Sequence, residues 1–292
     1  MVESFLKYLQ FEKRYSPKTV LSYETDLKQF EYFLLREFST QPAEARYDLV
    51  RSWIVSLVDA GITNASINRK IACLCSFYKF LMKREVIEKT PMLKIRVLKV
   101  PKRLPHFVKE EEANKMLDNK EFAENHDGLR NQLLLELFYG TGMRLSELIN
   151  LRESHVNTKD RTIKVLGKRN KERVIPFTRH LVQLIENYLT VRNREVERND
   201  HGLLFVTNTG KPLYPVLVNR VVKEYLKKYT SVEKKSPHVL RHTYATHLLN
   251  KGAEINAVKD LLGHSSLAAT QVYTHNSMEK LKKVFEQAHP KA

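Results

Sequence analysis

The sequence predicts a mainly α-helical chain of two domains, with a small β-hairpin confined to the second. Three observations predict it. The length of 292 residues suits two domains at roughly 150 residues each. Helical periodicity dominates up to residue 90, with no convincing strand before that point. Beyond it, one strand–turn–strand pattern stands out, in "RTIKVLGKRNKERVIPF".

The first domain reads as four helices. "FLKYLQFEKRY" places Phe5, Leu6, Leu9 and, less regularly, Phe11 at helical spacing. Ser16-Pro17 is an N-cap followed by proline at the first helical position, and it opens a helix over "KTVLSYETDLKQFEYFLLREF". A third helix fits "ARYDLVRSWIVSLVDAG", closed by Gly61, and a fourth fits "TNASINRKIACLCSFYKFLMKREV". "TPMLKIRVLKVPKRLPHFV" then holds three prolines and several cations without amphipathic period, and proline favours extended chain. The expected division is a helical domain over residues 1–95, a basic linker over 96–105 and a mixed domain over 106–292.

In the second domain "EEEANKMLDN" and "LRNQLLLELFYG" read as helices, the latter ended by Gly140, and "RLSELINL" as a short helix beyond the "GTG" break. In the hairpin, Ile163 and Val165 alternate with Thr162 and Lys164, Val174 begins the return strand, and Gly167 and Asn170 supply the turn. From "RHLVQLIENYL" onward the pattern is mostly helical, with no internal repeat.

Lys and Arg number 50 against 33 Asp and Glu, a formal charge of +17, so a polyanion is the natural partner and nucleic acid the commonest one. The two cysteines, Cys73 and Cys75, exclude a secreted disulfide framework and fit a reducing cytosol. Both read as small apolar filler in a buried helix. No signal-peptide pattern and no membrane-spanning run is visible, so a cytoplasmic protein is expected, beside the chromosome in a bacterium.

Reactive residues gather in four places. "HVLRHTYATHLL" puts His238 and Arg241 in the first turn of a helix after Pro237, which makes an anion site. His238 and His242 have a chelating spacing, but no Cys or carboxylate cluster completes it and HExxH is absent, so no metal is expected. His242 and His247 read as polar groups satisfied in or beside the core. Arg144 follows two glycines in "GTGMRLSEL", and Glu147 one turn on holds its guanidinium, whether as part of a site or as a surface ion pair. Lys168 sits at the hairpin tip, placed either to reach a phosphate or simply for solubility. In "LLGHSSLAATQVYTH", His264 follows a glycine break and Tyr273 lies nine residues on, at a spacing that core tyrosines share.

Taken together, Arg144, Lys168, His238, Arg241, His264 and Tyr273, with their flanking text and in this order, resemble the catalytic set of the tyrosine recombinases. "YSPKTVLSYETDLKQF" is similar to that family's N-terminal domain, and "HPKA" to its C-terminal tail. The likeness covers nearly the whole chain and is strongest to the Xer subgroup, which resolves chromosome dimers. One departure is Arg169, where the family's hairpin loop often has a second glycine; Asn170 can still take a positive φ.

The resemblance implies a helical core-binding domain followed by a mixed α/β catalytic domain. It implies transesterification at a DNA phosphodiester with Tyr273 as nucleophile, no cofactor and no metal. Arg144 and Arg241 would grip the nonbridging oxygens and His264 would add a hydrogen bond. His238 would assist proton movement at Tyr273, and Lys168 would protonate the departing 5′-oxygen. The product would be a 3′-phosphotyrosyl bond, which needs no ATP to reseal. Lys18, Arg69 and Lys70 are the candidate DNA contacts of the first domain, with solvated helix faces as the plainer reading. "SMEKLKKVFEQA" presents Met278, Leu281, Val284 and Phe285 as an apolar stripe, to dock on a neighbouring protomer or on its own domain. The partners implied are double-stranded DNA carrying an inverted repeat, a homo- or hetero-tetramer on two duplexes, a related recombinase and a septal DNA translocase, with no membrane. The alternatives are an integrase or resolvase of a mobile element with the same chemistry, and a non-catalytic architectural DNA-binding protein.

Overall fold

The computed structural model describes residues 1–101, 106–118, 122–167, 172–197, 201–263 and 287–288. The chain divides into two compact units, residues 1–103 and 104–292.

The regular elements of the first unit's described residues are all helices. α1 (Val2–Lys7) runs on into a π-helical turn over Tyr8–Glu12. α2 (Pro17–Phe38) opens as expected: the Ser16 hydroxyl accepts from the Thr19 amide, and Pro17 takes the first helical position, where its missing N–H costs nothing. α3 (Tyr47–Asp59) precedes Gly61, whose φ of +72° turns the chain. α4 (Asn64–Lys83) is capped by Thr63, which accepts from the Ser66 amide. The core between them is aromatic: Phe5, Phe30, Trp53, Phe77 and Tyr78 are buried, with Phe30 and Trp53 centroids 4.8 Å apart. The two cysteines part company. Cys73 is in this core, whereas Cys75 is exposed, because two positions along a helix turn the side chain roughly 200° to the other face.

Two asparagines of α4 hold the proline-rich stretch near its middle. The Asn68 amide donates to the Leu98 carbonyl and accepts from the Leu98 N–H, both at 2.8 Å, and Asn64 donates to the Lys99 carbonyl. Ile95 and Leu98 pack on the core of the first unit. A segment without helical period is therefore anchored here by side-chain amides.

The second unit is built around α6 (His126–Thr141), buried on nearly every side along "LLLELFYGT". α8 (Arg179–Glu195), α9 (Pro215–Tyr229) and α10 (Pro237–Asn250) surround it, together with α5 (Glu110–Leu117). Gly140 does not end α6. The helix runs one residue further, and Gly142, at φ +60°, takes the left-handed cap. A Cβ on Gly142 would lie 2.4 Å from the Tyr244 ring, so close packing as well as backbone conformation requires glycine there.

The sheet has three antiparallel strands in the order β1 (Val156–Asn157), β2 (Thr162–Leu166), β3 (Glu172–Pro176). β1 is too short to show a period and was not legible in the sequence. The return strand starts before Val174. Ile163 pairs with Ile175 and Val165 with Arg173, so the buried face of β3 carries Arg173 and Ile175 while Val174 faces the other way. α7 (Leu145–Ile149) and α11 (Ile255–Leu262) are two further short helices of this unit. Asn170 and the apolar stripe at Met278, Leu281, Val284 and Phe285 lie outside the described residues. Ala288 is buried against Tyr244, Leu248, Val258, Leu261 and Leu262 of its own unit.

Candidate active site

Four elements of the second unit bring their ends together: the start of α7, the start of β3, the first turns of α10 and the last turn of α11. Arg144 is the N-cap of α7, in extended conformation. Glu147, three residues on, reaches back. Its Oε2 accepts the Arg144 backbone N–H at 2.7 Å, and its Oε1 accepts Arg144 Nη1 at 2.8 Å. Arg173 comes from β3 and binds the same carboxylate with both arms, Nη1 to Oε1 at 2.7 Å and Nη2 to Oε2 at 2.8 Å. Each Glu147 oxygen thus accepts two hydrogen bonds, and the carboxylate is held in a single orientation.

The arginines also close the end of α11. Its last carbonyls have no partners within the helix and carry the negative end of the helix dipole. Arg173 Nε donates to the Leu261 carbonyl at 2.9 Å, Arg241 to the Leu262 carbonyl, and Arg144 Nη2 to the Gly263 carbonyl at 3.0 Å. Arg241 spends a further donor on the Gly142 carbonyl. The glycines of "GTG" and "LLGH" thus flank the arginines directly, and a Cβ on Gly263 would press on the Arg173 side chain at 3.1 Å.

Burial alone would raise the Glu147 carboxyl, but the hydrogen bonds and charge of Arg173, joined by Arg144, override it and hold the group at about 2. Arg241 moves the other way. Burial, then the positive charges of Arg144 and Arg173, bring it down to about 10. Among the described residues of the cluster, two guanidiniums bind the one carboxylate and a third, Arg241, lies close enough for their charges to act on it, so the cluster carries surplus positive charge. Arg144 keeps 30% of its side chain open to solvent. Such a cluster is suited to bind an anion with charge on two oxygens.

The structure brings Arg144, Glu147 and Arg241 together as the sequence suggested. Lys168, His264 and Tyr273 lie outside the described residues. His238 is exposed at the start of α10, whereas Arg241, three residues on, is buried. The two other histidines of α10 differ. His247 is buried; its Nε2 faces the Val108 carbonyl and must donate, so Nδ1 accepts from the Tyr139 hydroxyl, both at 3.0 Å. Burial lowers its pKa. His242, expected in or beside the core, is instead exposed, because it sits one residue past Arg241 and points away from the cluster's helix face. Among the described residues no three His, Cys, Asp or Glu side chains gather to hold a metal ion, and no helix is long and apolar enough to cross a membrane.

The basic residues of the first unit also separate. Lys18 is exposed near the start of α2. Arg69 pairs with Asp26 yet keeps 45% of its side chain exposed. Lys70 departs from its expected place as a DNA contact. It is buried, its ammonium lies 2.8 Å from Asp26 Oδ1 and also donates to Gln29, and it sits over the Trp53 ring. Sequence reasoning missed Arg173 altogether. The available signal was strand alternation, which puts it on the Ile175 face.

Comparison with known proteins shows the family. Residues 106–280 match the model of the phage integrase family, and residues 2–85 match the phage integrase N-terminal SAM-like domain. The chain is 37% identical to tyrosine recombinase XerC of Chlorobaculum parvum over 317 residues, covering 100% of this chain and 94% of that protein. It is 39% identical to tyrosine recombinase XerC of Staphylococcus carnosus, covering 99% and 97%. In fold it is similar to the XerH site-specific recombinase solved with palindromic difH substrate, with a TM-score of 0.72 over 97% of this chain and 83% of that one, at 22% identity.

Proposed function

The chain belongs to the phage integrase family and is a DNA-recombining enzyme of the XerC type that works by transesterification, and on that premise we propose that it resolves chromosome dimers at an inverted-repeat site near the replication terminus. The observation that carries the local chemistry is the surplus of guanidinium charge around Glu147.

In this reading Arg144 and Arg241 take the two nonbridging oxygens of the scissile phosphate. They stabilise the charge that builds as the Tyr273 oxygen attacks phosphorus. The P–O bond to the 5′-carbon breaks, leaving a 3′-phosphotyrosyl bond and a free 5′-hydroxyl. Lys168 gives the departing oxygen its proton, His238 takes the phenol proton and His264 hydrogen-bonds the phosphate. Rejoining is the reverse attack by a 5′-hydroxyl from the partner duplex, so the energy of the cleaved bond is kept. Two duplexes and four protomers, of one kind or of two related kinds, supply the four strands. A septal DNA translocase is the expected trigger, and the cytoplasm the expected location. Lys18 and Arg69 contribute phosphate contacts from the first unit.

The experiment is denaturing electrophoresis after incubation with a nicked terminus-region site. The wild type forms a covalent protein–DNA adduct that persists in EDTA, and Tyr273→Phe forms none. An adduct with Tyr273→Phe refutes the nucleophile. A wild type that protects no inverted repeat in footprints of the terminus region, while binding a mobile-element end, moves the biological role to an integrase.

A further inference from the structure

Arg173 lies in a run of basic residues that reads as a hairpin tip, yet the structure buries it on the core-facing side of β3 beside Ile175, with 5% of its side chain exposed. An arginine there is costly to desolvate unless its donors are matched. They are: two go to Glu147 and one to the Leu261 carbonyl. Glu147 in turn holds Arg144 by side chain and backbone, and Arg144 reaches the Gly263 carbonyl. The Gly263 backbone lies flush against the Arg173 side chain.

We infer that Arg173 is a positioning residue for recombination: through Glu147 it fixes the Arg144 guanidinium, and through Leu261 it ties the end of α11 to the same frame. The inference rests on the reading of Arg144 as a phosphate clamp. Arg173 itself does not touch the phosphate. A lysine in its place keeps the charge but loses the planar fork and the Nε donor, so Glu147 keeps only its bonds to Arg144 and the pair loses its bidentate tie to β3.

The test compares single-turnover adduct formation at saturating protein on two nicked duplexes. One carries the ordinary phosphodiester at the scissile position. The other carries a methylphosphonate there, whose missing charge leaves less for a guanidinium clamp to stabilise. On the phosphodiester, Arg144→Ala slows the reaction about 100- to 1,000-fold, the range for loss of one preorganised charge stabiliser. Arg173→Lys slows it at least about tenfold, and the double variant is no slower than Arg144→Ala alone, as groups acting in series require. On the methylphosphonate both single defects shrink to within about threefold of wild type. A fold merely damaged by Arg173→Lys would lose the same factor on both duplexes, and that result overturns the inference. So does an Arg173→Lys protein that cleaves the phosphodiester at the wild-type rate while Arg144→Ala is slow. An Arg144→Ala protein of normal rate overturns the clamp reading and this inference with it.

Discussion

Each unit buries a charge cluster, and the two are built differently. In the first, the fully buried members balance: Asp26 and Lys70 pair at 2.8 Å, Gln29 satisfies the ammonium further, and Arg69 extends into solvent. In the second, Glu147 is outnumbered. Arg173 and Arg241 are buried with it, and Arg144 adds a third positive charge at the edge. A balanced buried pair has nothing left to offer a ligand and serves to fix α2 against α4. An unbalanced one keeps electrostatic capacity in reserve for an anion, at some expense in stability. The contrast separates charges matched within the fold from charges left over for an anion, a distinction that +17 net charge does not make by itself.

The sharpest way to break this contrast is to remove one member from each cluster. Asp26→Ala strands the Lys70 ammonium in the core and should cost about 3–5 kcal/mol of stability in the first unit. Emission from Trp53, the only tryptophan, reports that loss. Arg241→Ala should leave the Trp53 transition in place and slow adduct formation at saturating DNA about 100- to 1,000-fold. If Asp26→Ala instead folds normally and fails only in cleavage, the contrast is wrong.

Acid sharpens it next. All eleven histidines fall in the second unit, and burial lowers the pKa of His126 and of His247 from the usual 6.5. A group that is buried neutral stabilises the fold above its unfolded pKa, and that contribution is lost as pH falls below it. The thermal midpoint followed by far-UV circular dichroism should therefore drop between about pH 7 and 5, while the midpoint reported by Trp53 holds. Glu147 acts lower. Its pKa falls from 4.5 to about 2, so its contribution is present above 4.5 and is lost as the pH drops toward about 2. The smallest effect belongs to Arg69, half in solvent. Arg69→Ala should shift stability by no more than about 1 kcal/mol and reduce the slope of log affinity for DNA against log salt by about one. An unchanged slope removes Arg69 from the DNA contacts.

Local signals carried much of the fold. Ser16-Pro17 and the alternation of Ile163 and Val165 each act within a few residues, and sequence reading placed them. The Arg144–Glu147 contact was legible for the same reason, since three positions along a helix are neighbours. What escaped depends on residues far apart in the chain. Lys70 looks like any lysine on a helix face until Asp26, 44 positions earlier, is packed against it. Arg173 is hidden among "KRNKER", and its partners Glu147 and Leu261 come from elements 26 and 88 residues away. The Asn68 clamp on Leu98 spans 30 residues and leaves no periodic trace. The candidate site was legible as a list of reactive types, but the scaffold that orients them was not.

The capped end of α11 has one more consequence. Guanidiniums that rest on peptide oxygens have already surrendered part of their hydration before any nucleic acid arrives. In the clamp proposed above, a phosphate arriving at Arg144 and Arg241 would exchange with weak, uncharged acceptors instead of stripping an ordered water shell, so little reorganisation would remain to be done as the reaction proceeds.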